Sequence, residues 1–201
     1  VQPIKINYRV RTLFWHMLAG AVASLALPPL FLLPAIFALS IPFFGYLGAQ
    51  SWREAAVIFA ATGLGWFLAS TYWVSNSLVV NVPSNWFFMP LVALALAMTL
   101  ASFWAVAGAL SFSFGRSPLA RILWLLIFLS LSEWTRGFVA TGFPWNLTGS
   151  LFAVDLASMQ AASFIGVYGL CIIAIAFAAA PVFWAIGHRR FSIIAVTLPI
   201  I

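Results

Sequence analysis

Charge is what this sequence has least of. Only 6% of its 201 residues are Asp, Glu, Lys or Arg, and only three of those are acidic. Soluble domains carry about 25% charged residues. This chain cannot cover a water-facing surface, and its 65% hydrophobic content makes it an integral membrane protein. A single cysteine, Cys171, excludes an intrachain disulfide and a cysteine-rich metal site. Deep in an apolar run, it reads as a small core hydrophobe. His16 and His188 have no Cys, Asp or Glu at ligand spacing, so neither a metal nor a cofactor is expected. The net charge of +6 comes from basic residues scattered singly or in pairs, so no nucleic-acid partner is expected. No set of nucleophile, base and orienting group is visible, because Glu54, Glu133 and Asp155 are the only carboxylates.

Long uncharged runs fill the rest. A membrane span needs about 20 apolar residues. Thr12 to Trp52 lacks any Asp, Glu, Lys or Arg and would be about 60 Å long as one helix at about 1.5 Å per residue, so it must fold back. Pro28-Pro29 is the expected break, since proline lacks a backbone donor and clashes with the preceding turn. The resulting spans are about 11–27, 30–50, 55–77, 87–112, 119–138 and 160–186, with a seventh begun at 191–201. Pro34 and Pro42 should kink the second span, and a re-entrant hairpin is the alternative for the first pair. The fold class is therefore an all-α integral membrane protein, a polytopic bundle of six complete transmembrane helices plus the start of a seventh, forming one domain over 1–201. The missing initiator Met and the apolar run still open at Ile201 predict a piece of a longer protein.

The basic residues agree with this alternation. Lys5, Arg9, Arg11, Arg53, Arg116, Arg121, Arg189 and Arg190 all fall on one side, which the positive-inside rule makes cytoplasmic. The N-terminus is then cytoplasmic and the 137–155 loop lies across the membrane. Trp52, Trp66, Trp73, Trp86, Trp134, Trp145 and Trp184 lie mostly near span ends, as an aromatic belt would.

Glu133 and Arg136 stand out within this pattern. They sit three residues apart, on one helix face, at the non-cytoplasmic end of span five. Charges there are costly unless paired, interfacial or lining a site. Two readings stay open: a neutralised pair that ends and anchors the helix, or a guanidinium that faces a phosphate headgroup. Gly142 and Pro144 supply turn geometry directly afterwards, and Trp145 follows with an indole N–H to place.

Glu133-Trp134-Thr135-Arg136-Gly137 with Thr141-Gly142-Phe143-Pro144-Trp145 and Gly149 resembles the signature of bacterial apolipoprotein N-acyltransferases. Ser24-Leu25-Ala26-Leu27-Pro28-Pro29, Tyr72-Trp73-Val74 and Gly166-Val167-Tyr168-Gly169 match in the same order. The resemblance implies an inner-membrane helix bundle followed by a nitrilase-like periplasmic domain with a Glu-Lys-Cys triad. In that family the Cys takes an acyl chain from a phospholipid as a thioester and passes it to the N-terminal diacylglyceryl-cysteine of a lipoprotein. A phospholipid donor, a lipoprotein acceptor and membrane lipids are the implied partners. The triad's positions are not in this chain, so it should carry no catalytic residue and be inactive by itself. Candidate residues for the lipid and headgroup side are Trp73, Glu133, Arg136, Gly142, Phe143, Pro144 and Trp145, in a loop the resemblance makes periplasmic. A small transporter or channel and a non-catalytic membrane scaffold are the alternatives.

Overall fold

The computed structural model describes residues 10–80, 82–139 and 142–198. Lys5, Arg9, Asn81, Thr141 and the last three residues of the incomplete seventh span lie outside the described residues. The elements are α1 (Val10–Ala23), α2 (Ser40–Leu47), α3 (Trp52–Thr71), α4 (Ser77–Val80), α5 (Met89–Phe114), α6 (Pro118–Arg136), α7 (Leu156–Gln160), α8 (Ala162–Ala185) and α9 (Arg189–Thr197), joined by short 3-10 turns. All the regular structure among the described residues is helical.

Four helical stretches are long and apolar enough to cross a membrane: Trp52–Val80, Pro83–Phe114, Pro118–Arg136 and Ala162–Ala185. Leu91, Met98, Val106, Ile127, Ile172 and Trp184 stand exposed on them, a surface that hydrocarbon accepts and water does not. The first two expected spans, 11–27 and 30–50, form shorter pieces. α1 runs on only through a 3-10 turn at Ser24–Ala26 before a cis Pro28–Pro29 bond. The second begins as a 3-10 helix, Leu33–Leu39, with Pro34 in its first turn, and becomes α-helical at Ser40. The kink expected at Pro34 is not seen within a helix; Pro34 stands at the helix start, where proline is tolerated. Pro42 falls in the first turn of α2, which follows directly on that 3-10 helix. The expected count of six spans therefore meets four long helices and a hairpin of short ones. The expected span at 160–186 holds a 24-residue candidate, Ala162–Ala185, interrupted near its start where Gly166 lies outside helical geometry (φ 68°).

Side-chain caps set several starts. The Ser51 hydroxyl accepts the Glu54 N–H, and the Glu54 carboxylate accepts the Gln50 N–H at 2.6 Å, which closes the first turn of α3. Ser117 caps α6 by accepting the Ala120 N–H, with Pro118 next in line.

α3 is the central helix, packed most extensively on α5 and α1. Gly20 of α1 lies against the Thr62 carbonyl of α3, and Gly65 of α3 lies against the Met17 carbonyl of α1; a Cβ at either would collide with that oxygen. Such reciprocal backbone approach is the membrane form of close helix packing. The core is aromatic: Trp104 sits 5.5 Å from both Trp66 and Phe67, and Phe59 lies 5.6 Å from Tyr46. Trp66 is fully buried there, which removes it from the expected belt. Its place on the α5-facing side of α3 decides this, not its distance from a helix end.

The two ends of the bundle differ. At one, Arg121 donates to the Leu47, Ala49 and Gly115 carbonyls and stacks over Phe112; the expected alternation assigns Arg53, Arg116, Arg189 and Arg190 to the same end. At the other lie the 24–33 turn, the end of α3 and the 137–155 loop.

Candidate functional site

The second end is organised by the two charges that close α6. Glu133 and Arg136 are both buried, and Arg136 Nη2 lies 3.0 Å from Glu133 Oε2. The carboxylate accepts two further donors, the Trp104 indole N–H at 3.0 Å and the Thr148 backbone N–H at 3.1 Å. Arg136 Nη1 donates to the carbonyls of Phe143 and Trp145, both at 2.8 Å, and Nη2 donates to that of Asn146 at 3.2 Å. Every Nη hydrogen is thus committed, while Nε–H finds no acceptor among the described residues. The guanidinium carbon sits 5.1 Å from the centre of the Phe67 ring, adding a cation–π contact. An ion pair enclosed like this holds only if its remaining hydrogen-bonding capacity is filled. Here the loop backbone and the Trp104 indole fill all of it except the Arg136 Nε–H.

The chain after α6 is shaped to reach these donors. Gly142 takes φ 75°, a left-handed conformation that glycine adopts without penalty, and Phe143 N–H donates to the Arg136 carbonyl at 2.7 Å. Asn146 takes φ 52°, which asparagine tolerates better than most residues. Its side-chain amide donates to the Ser70 carbonyl, tying the loop to the end of α3. The Trp73 indole N–H donates to the same carbonyl at 2.9 Å, and the Trp73 and Trp145 rings lie 5.6 Å apart. Pro144, Trp73 and Trp145 are exposed and Phe143 is half-buried.

The residues singled out in the sequence therefore gather into one assembly. Glu133 and Arg136 lie inside it, Gly142 sets its turn, and Phe143, Pro144, Trp145 and Trp73 form its outer face. Sequence reasoning missed Trp104, Asn146 and Thr148. A mid-span tryptophan has an N–H to place, and Glu133 is the only carboxylate inside an expected span, so Trp104 carried a readable signal. The backbone donor of Thr148 left no trace in the sequence. Cys171 is fully buried, with its sulfur accepting the Gly149 N–H at 3.4 Å. Among the described residues, no three His, Cys, Asp or Glu side chains come together as a metal site requires.

Comparison with known proteins adds a family. The profile of the apolipoprotein N-acyltransferase N-terminal domain matches residues 19–196. Proteins named apolipoprotein N-acyltransferase are similar over most of the chain. The one from Rickettsia typhi is 33% identical over 168 residues, covering 83% of this chain and 34% of its own length. That from Rhodopseudomonas palustris is 32% identical over 196 residues, 92% of this chain and 36% of the relative. That from Allorhizobium ampelinum is 34% identical over 182 residues, 86% and 34% respectively. The chain spans about a third of the length of these relatives.

Proposed function

The chain belongs to the apolipoprotein N-acyltransferase family, and from that premise we propose that it is the membrane part of an enzyme moving an acyl chain from a phospholipid to the N-terminal diacylglyceryl-cysteine of lipoproteins. In this reading the protein lies in the bacterial inner membrane with its N-terminus cytoplasmic. The chain crosses six times and starts a seventh span at α9, with the short helices of 10–47 as the first two crossings. The 137–155 loop is periplasmic, and the reacting groups belong to a catalytic domain outside this chain.

One observation carries the reading. The buried Glu133–Arg136 pair fixes the 143–148 backbone against α3, at the end of the bundle opposite the arginines. Trp73, Trp145, Phe143 and Pro144 then form a firm, half-apolar ledge at headgroup depth, where aromatic rings with a polar tip are favoured. Glu133 and Arg136 are positioning residues in this scheme, and Gly142 gives the turn that lets the loop reach them. The ledge meets lipid; the pair meets only protein.

The test replaces the full-length protein in cells depleted of it and follows lipoprotein acylation by mass spectrometry. Wild type should restore the third acyl chain; failure to do so overturns the function. Trp73→Ala combined with Trp145→Ala should slow transfer about tenfold or more at an unchanged amount of folded protein. Wild-type rates in that double variant overturn the ledge.

A further inference from the structure

A pocket of about 290 Å³ opens beside the ledge, walled by the 24–30 turn, the end of α3 and Asn146. Ser24, Ser70 and Asn146 give it polar atoms, while Leu30, Tyr72 and Trp73 stand exposed at its mouth. Three features set it apart from the more apolar clefts between helices. Among the described residues, the buried Ser70 hydroxyl oxygen has no hydrogen-bond partner, a state that ordinarily costs about 1–3 kcal/mol. Among the described residues, the only non-glycine residues at positive φ are Phe31 (49°) and Asn146 (52°); Asn146 lines the pocket and Phe31 directly follows its lining residue Leu30 in the chain. A phenylalanine there is a true outlier, and such strain gathers at ligand clamps. The pocket also joins segments more than a hundred residues apart in sequence.

Its chemistry narrows the ligand. Among the described residues no Lys or Arg lines it, and the nearby Arg136 has its Nη hydrogens committed to protein acceptors, so a phosphate finds no counter-charge there. Neutral hydrogen-bonding atoms next to apolar walls suit an ester. The volume is at the low end for ligand pockets, too small for a whole lipid but adequate for its linker. We infer that this pocket holds the uncharged glycerol-ester region of a glycerolipid, with the acyl chains leaving past Leu30 and Tyr72. The inference rests on the acyltransferase reading for the identity of the lipid, whose glycerol ester comes either from the phospholipid donor or from the lipoprotein's diacylglyceryl group.

Photocrosslinking in native membranes tests it without relying on activity. The full-length protein carries Tyr72→p-benzoylphenylalanine, and cells are labelled with radioactive glycerol and phosphate. The expected result is a glycerol-labelled adduct at 72, at least fivefold above the same probe at the outward-facing position 91. Filling the pocket with Ser70→Leu should lower that adduct at least fivefold. Leu30→Trp, at a position exposed enough to accept any side chain, should do the same by blocking the mouth if Ser70→Leu fails to fold. Phosphate in the adduct identifies the donor as the source; a phosphate-free adduct of lipoprotein mass identifies the acceptor. An adduct no stronger than at position 91, or one indifferent to both substitutions, overturns the pocket. Acyl transfer by the unsubstituted protein is measured separately, so loss of the family function and loss of the pocket give different results.

Discussion

Replacing Arg136 by alanine should unfold the 143–148 loop before it affects anything else. The substitution removes the ion pair to Glu133 and leaves that carboxylate enclosed with only the Trp104 and Thr148 donors. It also strips three loop carbonyls of their donor. Breaking one side of a buried pair costs about 3–5 kcal/mol, and each carbonyl left dry adds to this unless water enters. We therefore expect Arg136→Ala to lose at least about 3 kcal/mol, roughly a hundredfold in the folded-to-unfolded ratio. The full-length protein in detergent should melt lower and be cut by protease within 142–147. Arg136→Lys keeps the charge but not the planar fork that serves four acceptors at once, and should fall between wild type and alanine. Glu133→Gln combined with Arg136→Met removes both charges, so its cost should be smaller than the sum of the single changes. The reasoning is refuted if Arg136→Ala melts like wild type, keeps its loop protected and still loses acyl transfer. The guanidinium would then act on substrate and not on the loop.

Two further outcomes follow from other parts of the bundle. Gly20→Ala or Gly65→Ala puts a Cβ against a backbone carbonyl of the facing helix, forcing α1 and α3 apart; each should cost about 1–3 kcal/mol, read as a lowered melting temperature. Asp155 caps α7, and the backbone N–H and hydroxyl of Ser158 hold its carboxyl below the usual carboxylate range. The cap therefore stabilises α7 at pH above the ordinary Asp value and is lost as pH falls through the depressed one. Amide exchange at Ser158 should accelerate across that acidic window, and Asp155→Asn should flatten the dependence.

Much of this protein was legible in one dimension. Scarcity of charge identified a membrane protein, because a surface that must face water cannot be built from these residues. The uncharged runs at 55–77, 87–112 and 119–138 overlap α3, α5 and α6, because a long apolar run is itself the signal of a membrane helix. Asp155 caps α7, where an acidic residue favours a helix start. Less was legible where the backbone decides. The short first hairpin and the break at Gly166 depend on dihedral angles that hydropathy does not carry.

The site divides in the same way. Sequence alone found the pair Glu133 and Arg136, the turn after it and the tryptophans nearby, and it marked the pair as costly. It could not choose between a pair that meets substrate and one that meets protein, because both have the same spacing. The tertiary structure supplies the acceptors. Three backbone carbonyls seven to ten residues beyond Arg136 occupy its Nη hydrogens, and a tryptophan from α5 occupies the carboxylate. Backbone carbonyls are present at every position in every sequence. Which ones a guanidinium reaches is decided only when the chain has folded.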